Sequence, residues 1–84
     1  YVRLDLQLKA RLEPKKEDLP GELLGKKVVE IKDFDGIKLI CEDKSWLMFR
    51  GSGTEPMIRI YAEAKSLKRA NKLLLWGKNF ILKK

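Results

Sequence analysis

Histidine is absent from these 84 residues, and cysteine occurs once, as Cys41. One thiol excludes an internal disulfide, and a chain with neither histidine nor a second thiol has no ligand set for structural zinc. The same absence removes a Ser-His-Asp route to an activated hydroxyl. No apolar run approaches the length needed to cross a bilayer, and no segment near Tyr1 has the form of a signal peptide. Aromatic residues make up only 8%, and they do not alternate with basic residues as a nucleic-acid stacking platform requires.

A chain this short allows one small domain, residues 1–84, with a modest core. It begins at Tyr1 rather than methionine, and so reads as a piece cut from a larger soluble protein. Lysine and arginine number 19 against 12 acids, a formal charge of +7. Such an excess suits a free-standing basic module that binds nucleic acid or another polyanion, because clustered cations displace phosphate counterions. Here, however, the basic residues are scattered among acids, as on a solvated Lys/Glu-rich surface. The polyanion module is therefore the alternative reading, and the preferred one has neither nucleic acid nor membrane as a partner.

Periodicity gives an α+β organisation. Tyr1 to Leu8 alternates, with Val2, Leu4, Leu6 and Leu8 on one side, and is either a strand or the extended connection from a preceding domain. Residues 9–25 are interrupted by Pro14, Pro20, Gly21 and Gly25, which leaves room for a short helix starting near Pro14. Residues 1–25 thus read as a connection with a weak helix, residues 26–64 as strands and residues 66–82 as a helix. Lys27 to Lys32 and Ile37 to Glu42 flank an Asp35-Gly36 turn. Ser45 to Arg50 and Met57 to Ala64 complete an antiparallel sheet of about four strands. In the last of these Ile58, Ile60, Ala62 and Ala64 share one face, which points Arg59 away from the core. Ser66 suits the N-cap of the helix. Leu67, Ala70, Leu74, Gly77 and Ile81, with Leu73 and Phe80 alongside, form its buried stripe. Leu75 and Trp76 lie off that stripe, as rim packing or as a contact surface. Cys41 shares a strand face with Ile37 and Leu39 and is expected to be buried and inert.

One segment carries chemistry. Arg50-Gly51-Ser52-Gly53-Thr54-Glu55-Pro56 joins two apolar strands with groups suited to an anion. Gly51 and Gly53 permit positive φ, Ser52 and Thr54 add hydroxyls, and Arg50 brings a planar fork matched to phosphate oxygens. Successive amides in such a turn, those of Ser52, Gly53 and Thr54, can form an anion nest. The other reading is a plain Gly/Ser hairpin connection. Arg59 is likewise either solvated or a second guanidinium for the same anion.

The run from Trp46 to Ala64, with Asp35-Gly36-Ile37-Lys38 before it and the terminal helix after it, closely resembles the C-terminal domain of the α-D-phosphohexomutases. That superfamily comprises phosphoglucomutase, phosphomannomutase and phosphoglucosamine mutase, and the similarity covers roughly residues 26–82. The resemblance implies a TATA-binding-protein-like domain in which a small sheet packs against a C-terminal helix and a short N-terminal helix. It further implies a cytoplasmic isomerase that interconverts hexose 1-phosphate and 6-phosphate through a bisphosphate. In this chain the substrate-phosphate contacts would be Arg50, Gly51, Ser52, Gly53, Thr54 and Arg59. Proline usually stands where this sequence has Gly51, which should leave the loop less rigid. The family's phosphoserine, its magnesium-holding Asp-x-Asp-x-Asp loop and its sugar-reading Gly-Glu-x-Ser loop belong to other domains and are missing here. No catalytic or metal-binding residue is therefore assigned in this chain, and no cofactor. Its partners would be a hexose phosphate and the other domains of the same polypeptide. The isolated fragment is expected to fold without mutase activity.

Overall fold

The structure, a computed structural model, describes residues 1–10 and 13–83. Six strands form one antiparallel sheet: β1 (Val2–Lys9), β2 (Glu22–Leu23), β3 (Lys26–Lys32), β4 (Ile37–Cys41), β5 (Trp46–Gly51) and β6 (Met57–Ala64). Their order across the sheet is β1-β6-β5-β4-β3-β2, so only β1 leaves the sequential meander. One helix, α1 (Leu67–Leu82), follows.

Two of these strands exceed the expected four. The alternation of Val2, Leu4, Leu6 and Leu8 belongs to a strand and not to a loose connection, because β1 pairs with β6 along its whole length, from Val2 opposite Ala64 to Lys9 opposite Met57. Between β1 and β2 the expected short helix is a single 3-10 turn, Lys16–Asp18, with no side-chain cap. Pro14 and Pro20 bracket too few residues for more, since a helix needs several turns to recover its nucleation cost.

Turn chemistry sets the register of the meander. Asp35 and Gly36 both have positive φ, 56° and 105°, the combination that a tight hairpin between right-twisted strands requires. Glycine is also needed at 36 for space, because a Cβ there would stand 2.6 Å from the Phe49 carbonyl oxygen. In the β4–β5 turn the Asp43 carboxylate accepts hydrogen bonds from both the amide and the hydroxyl of Ser45, which closes the turn locally.

Helix α1 covers one face of the sheet and packs on β1, β5 and β6. Ser66 caps it by accepting from the Arg69 amide at 3.1 Å. Ala70, Leu73, Gly77 and Ile81 point into a core with Leu39, Leu47, Phe49, Ile58 and Ile60. Leu67, expected in the stripe, is the first residue of the helix and is exposed instead. Trp76 stacks on Phe80 with ring centroids 4.9 Å apart and is rim packing. At Gly77 the helix backbone lies close to the sheet: a Cβ would meet Ile60, Leu47 and Phe49 side-chain atoms at 3.1, 3.2 and 3.3 Å.

Arg69 opposes the helix dipole in the first turn, and its position explains the cost. Its guanidinium donates to the Leu24 and Leu23 carbonyls at 2.9 and 3.0 Å and to the Ser45 hydroxyl at 3.4 Å. Its Nε lies 3.7 Å from the Asp43 carboxylate. One side chain thereby fastens the two-residue β2 to the helix and to the β4–β5 turn. No described helix is long and apolar enough to span a membrane.

Candidate anion site

The face of the sheet turned away from α1 has no covering element among the described residues, and the site lies on it. Strand parity decides which side chains stand there. In β6 Ile58 and Ile60 face the helix and are buried, while Arg59 between them is exposed. In β5 Phe49 is buried and Arg50 is exposed. Register then brings the two arginines together, since Arg50 pairs directly with Arg59 and Arg59 pairs with Gln7 on β1.

Side chains directly opposite on one face have Cβ atoms about 4.5–5.5 Å apart, and like charges so placed repel. Each guanidinium is met by a different neighbour. Arg50 lies 3.4 Å from the Asp35 carboxylate, with half of its side chain still exposed to solvent. Arg59 faces the Gln7 carboxamide, whose oxygen accepts from the guanidinium once the amide is assigned with its oxygen toward Arg59. Beyond them the surface sinks into an open depression of about 500 Å³ lined by Gln7, Arg50, Gly51, Ser52, Gly53, Glu55, Met57, Arg59 and Tyr61. Five of the six residues singled out from sequence thus meet at one place. Thr54 does not line it.

The loop amides are arranged differently from a nest. Ser52 donates its N–H to the Met57 carbonyl at 3.0 Å, which continues the β5–β6 pairing. Its hydroxyl oxygen accepts from the Thr54 and Glu55 amides at 3.4 and 3.3 Å. Gly51 gives its N–H to Glu13 at 2.6 Å. Neither Gly51 nor Gly53 adopts positive φ, because Gly51 is a strand residue opposite Ile58 and the bend after it stays in regions open to any residue. A Cβ at 51 would lie 2.9 Å from the Glu13 carboxylate oxygen, so a larger residue there would push that flexible side chain aside. Gly53 is exposed, and a side chain there would meet nothing within 4 Å.

Gln7, Tyr61, Asp35 and Glu13 are not assigned to the site from sequence, where Asp35 reads only as a hairpin residue. Gln7 and Glu13 reach the site only through long-range pairing of the N-terminal segment, for which no local signal exists. Tyr61 shares the strand parity of Arg59 in β6. No group of three or more His, Cys, Asp or Glu side chains stands together among the described residues, so these residues do not fit a magnesium site and nothing here runs through the metal.

A profile of the family described as phosphoglucomutase/phosphomannomutase, C-terminal domain, matches residues 5–74. The chain belongs to that family. Among its relatives is a phosphoglucomutase/phosphomannomutase of Thermococcus kodakarensis, 48% identical over 57 residues, which are 68% of this chain and 12% of that protein. A phosphoglucosamine/phosphogalactosamine mutase of Sulfurisphaera tokodaii is 42% identical over 67 residues, 70% of this chain and 14% of that protein. A phosphopentomutase of Thermococcus kodakarensis is 40% identical over 50 residues, 60% of this chain and 11% of that protein. This phosphohexomutase-type domain therefore spans between a tenth and a seventh of the length of those mutases. The matched residues include both arginines, the whole loop and β1 from Asp5 onward.

Proposed function

We propose that this domain holds the phosphate of a hexose phosphate within a larger cytoplasmic mutase. That enzyme would interconvert the 1- and 6-phosphates by phosphoryl transfer through a bisphosphate. Arg50 and Arg59 supply two convergent guanidiniums. The Gly53 amide and the Ser52 hydroxyl supply neutral donors, and Gly51 lines the depression beside them. The reacting serine and the magnesium implied for the whole enzyme belong to other domains. The chemistry left to this chain is positioning: binding energy gained on the non-reacting phosphate serves to orient the reacting hydroxyl. A bisphosphate carries the same group at both ends, so the same anchor serves before and after the intermediate reorients.

The observation that carries this reading is the direct pairing of Arg50 with Arg59 on the open face. Two like charges held opposite each other are unfavourable without an anion between them, and a phosphate can accept from both forks at once. The different sugars in the names of the relatives fit the same feature, because a site that grips phosphate is indifferent to much of the sugar. Titration of the isotope-labelled chain with glucose 1-phosphate tests it. Shifts should concentrate at Gly53 and at the Nε groups of Arg50 and Arg59, and Arg50→Ala should remove them. Arg50→Lys should weaken binding, since an ammonium cannot make the forked contact. Shifts spread over the lysines of α1 that survive Arg50→Ala would refute the assignment.

A further inference from the structure

Two carboxylates from outside β5 and β6 already rest on the first two residues of the loop, and they do so from opposite sides. Glu13 bonds the Gly51 amide at 2.6 Å and occupies the space where a Gly51 side chain would point. Gly51 shares strand parity with the buried Phe49, so Glu13 approaches from the helix side, away from the depression. It serves a strand N–H that β4 does not reach, because the β4–β5 pairing ends at Ile37 opposite Phe49. Asp35 differs. Its carboxylate lies 3.4 Å from Arg50, a residue that faces the depression.

The backbone holds Asp35 in that position. Its φ of 56° fixes it in the β3–β4 turn, and the next residue, Gly36, packs so closely that its Cβ position is 3.4 Å from the Arg50 Cα. Yet the ion pair is half in water, with side-chain exposures of 50% and 61%. Pairs this exposed are weak. Among the described residues Asp35 is the carboxylate in ion-pair distance of either arginine; Arg59 faces the neutral carboxamide of Gln7, and Glu55 lines the depression without pairing to either.

We propose that Asp35 is a displaceable counter-ion that occupies Arg50 while the anion site is empty and competes with the incoming phosphate. This rests on the phosphate-binding reading of the loop. In the empty domain Asp35 offsets the repulsion between Arg50 and Arg59. Once a dianionic phosphate bridges both guanidiniums the carboxylate is surplus, stands within a few ångströms of like charge and is repelled. Asp35 therefore lowers affinity for phosphate while leaving the turn unchanged. It is a positioning residue that acts through Arg50.

The test compares the chain with Asp35→Asn, using inorganic phosphate as the probe at low salt. Asparagine accepts positive φ as readily as aspartate, so the hairpin keeps its shape, which its amide shifts will report. Loss of an exposed ion pair together with its repulsion of the anion should tighten phosphate binding about two- to tenfold. The gain should shrink as added salt screens the charges. In the unaltered chain the Asp35 carboxyl resonance should move with the same dissociation constant as the Gly53 amide. Equal or weaker binding by Asp35→Asn, or an Asp35 resonance indifferent to phosphate, overturns the counter-ion while the site stands. No binding by either protein overturns the site reading and the counter-ion with it.

Discussion

Arg69→Ala should be the most damaging substitution of a charged residue in this domain, although Arg69 touches no part of the anion site. Its guanidinium makes two short bonds to the Leu23 and Leu24 carbonyls, and Leu23 is fully buried. Hydrogen bonds from a charged donor contribute about 1.5–3 kcal/mol each before the ordering of the side chain is counted. With 16% of the side chain exposed, and with water able to reach the Leu24 carbonyl, a net loss of about 2–3 kcal/mol is reasonable. A domain of this size has a stability on the order of 4–13 kcal/mol, so the loss is a large share of the total. It corresponds to a fall in Tm of about 10–20 °C.

The damage should be local before it is global. The Val28 amide, which donates to the Gly21 carbonyl at 2.8 Å, should exchange faster with solvent, while amides shared by β5 and β6 keep their relative protection. Acid provides a second signature. Burial pushes the Asp43 carboxyl up, but the Ser45 hydroxyl and amide and the Arg69 charge outweigh it and hold the group below its usual value. A depressed carboxylate stabilises the fold above its unfolded pKa, and that stability is lost as pH falls through the folded one. Below about pH 4 the unaltered chain should therefore lose stability more steeply than Arg69→Ala. Thermal and urea unfolding across pH measure both effects. A Tm within about 2 °C of the unaltered chain, with Val28 exchange unchanged, would refute the clasp.

Gly77→Ala should lower Tm despite alanine's higher helix propensity of about 1 kcal/mol, because its Cβ would press on three buried side chains at 3.1–3.3 Å; a rise in Tm would show that the helix can lift off the sheet at no cost. Cys41, only 1% exposed, has its thiol pushed up by burial, with Ser45 and Arg69 partly offsetting this. Iodoacetamide should label it under native conditions only as fast as the domain opens, and labelling at the denatured rate would contradict its inward position.

Much of the fold could be read from local pattern. Alternation in Met57–Ala64 gave both the inner face and the outward direction of Arg59, Asp35-Gly36 marked the hairpin, and Ser66 marked the helix start within a residue. What escaped was long-range. The pairing of Val2–Lys9 with β6 joins residues at opposite ends of the chain, and nothing in either segment alone names its partner. The two-residue β2 is too short for any periodicity, and it depends on Arg69, which sequence could only register as a cation at the wrong end of a helix dipole. Around the site, motif residues were legible because their chemistry is written in the loop. Gln7, Glu13 and Asp35 were not, since their relevance comes from where the β1 segment and a neighbouring hairpin place them. The glycines escaped differently: composition suggested positive φ, whereas neither Gly51 nor Gly53 adopts it.

The central claim is that anion affinity in this chain is concentrated where Arg50 meets Arg59. Crystals of the chain grown with glucose 1-phosphate test it most directly. The account predicts a phosphate in the depression bounded by Gln7, Tyr61 and the loop, within hydrogen-bond distance of both guanidiniums and with the Asp35 carboxylate turned away from Arg50. A phosphate held instead by lysines of α1, with Arg50 still paired to Asp35 and the depression filled only by water, would contradict it.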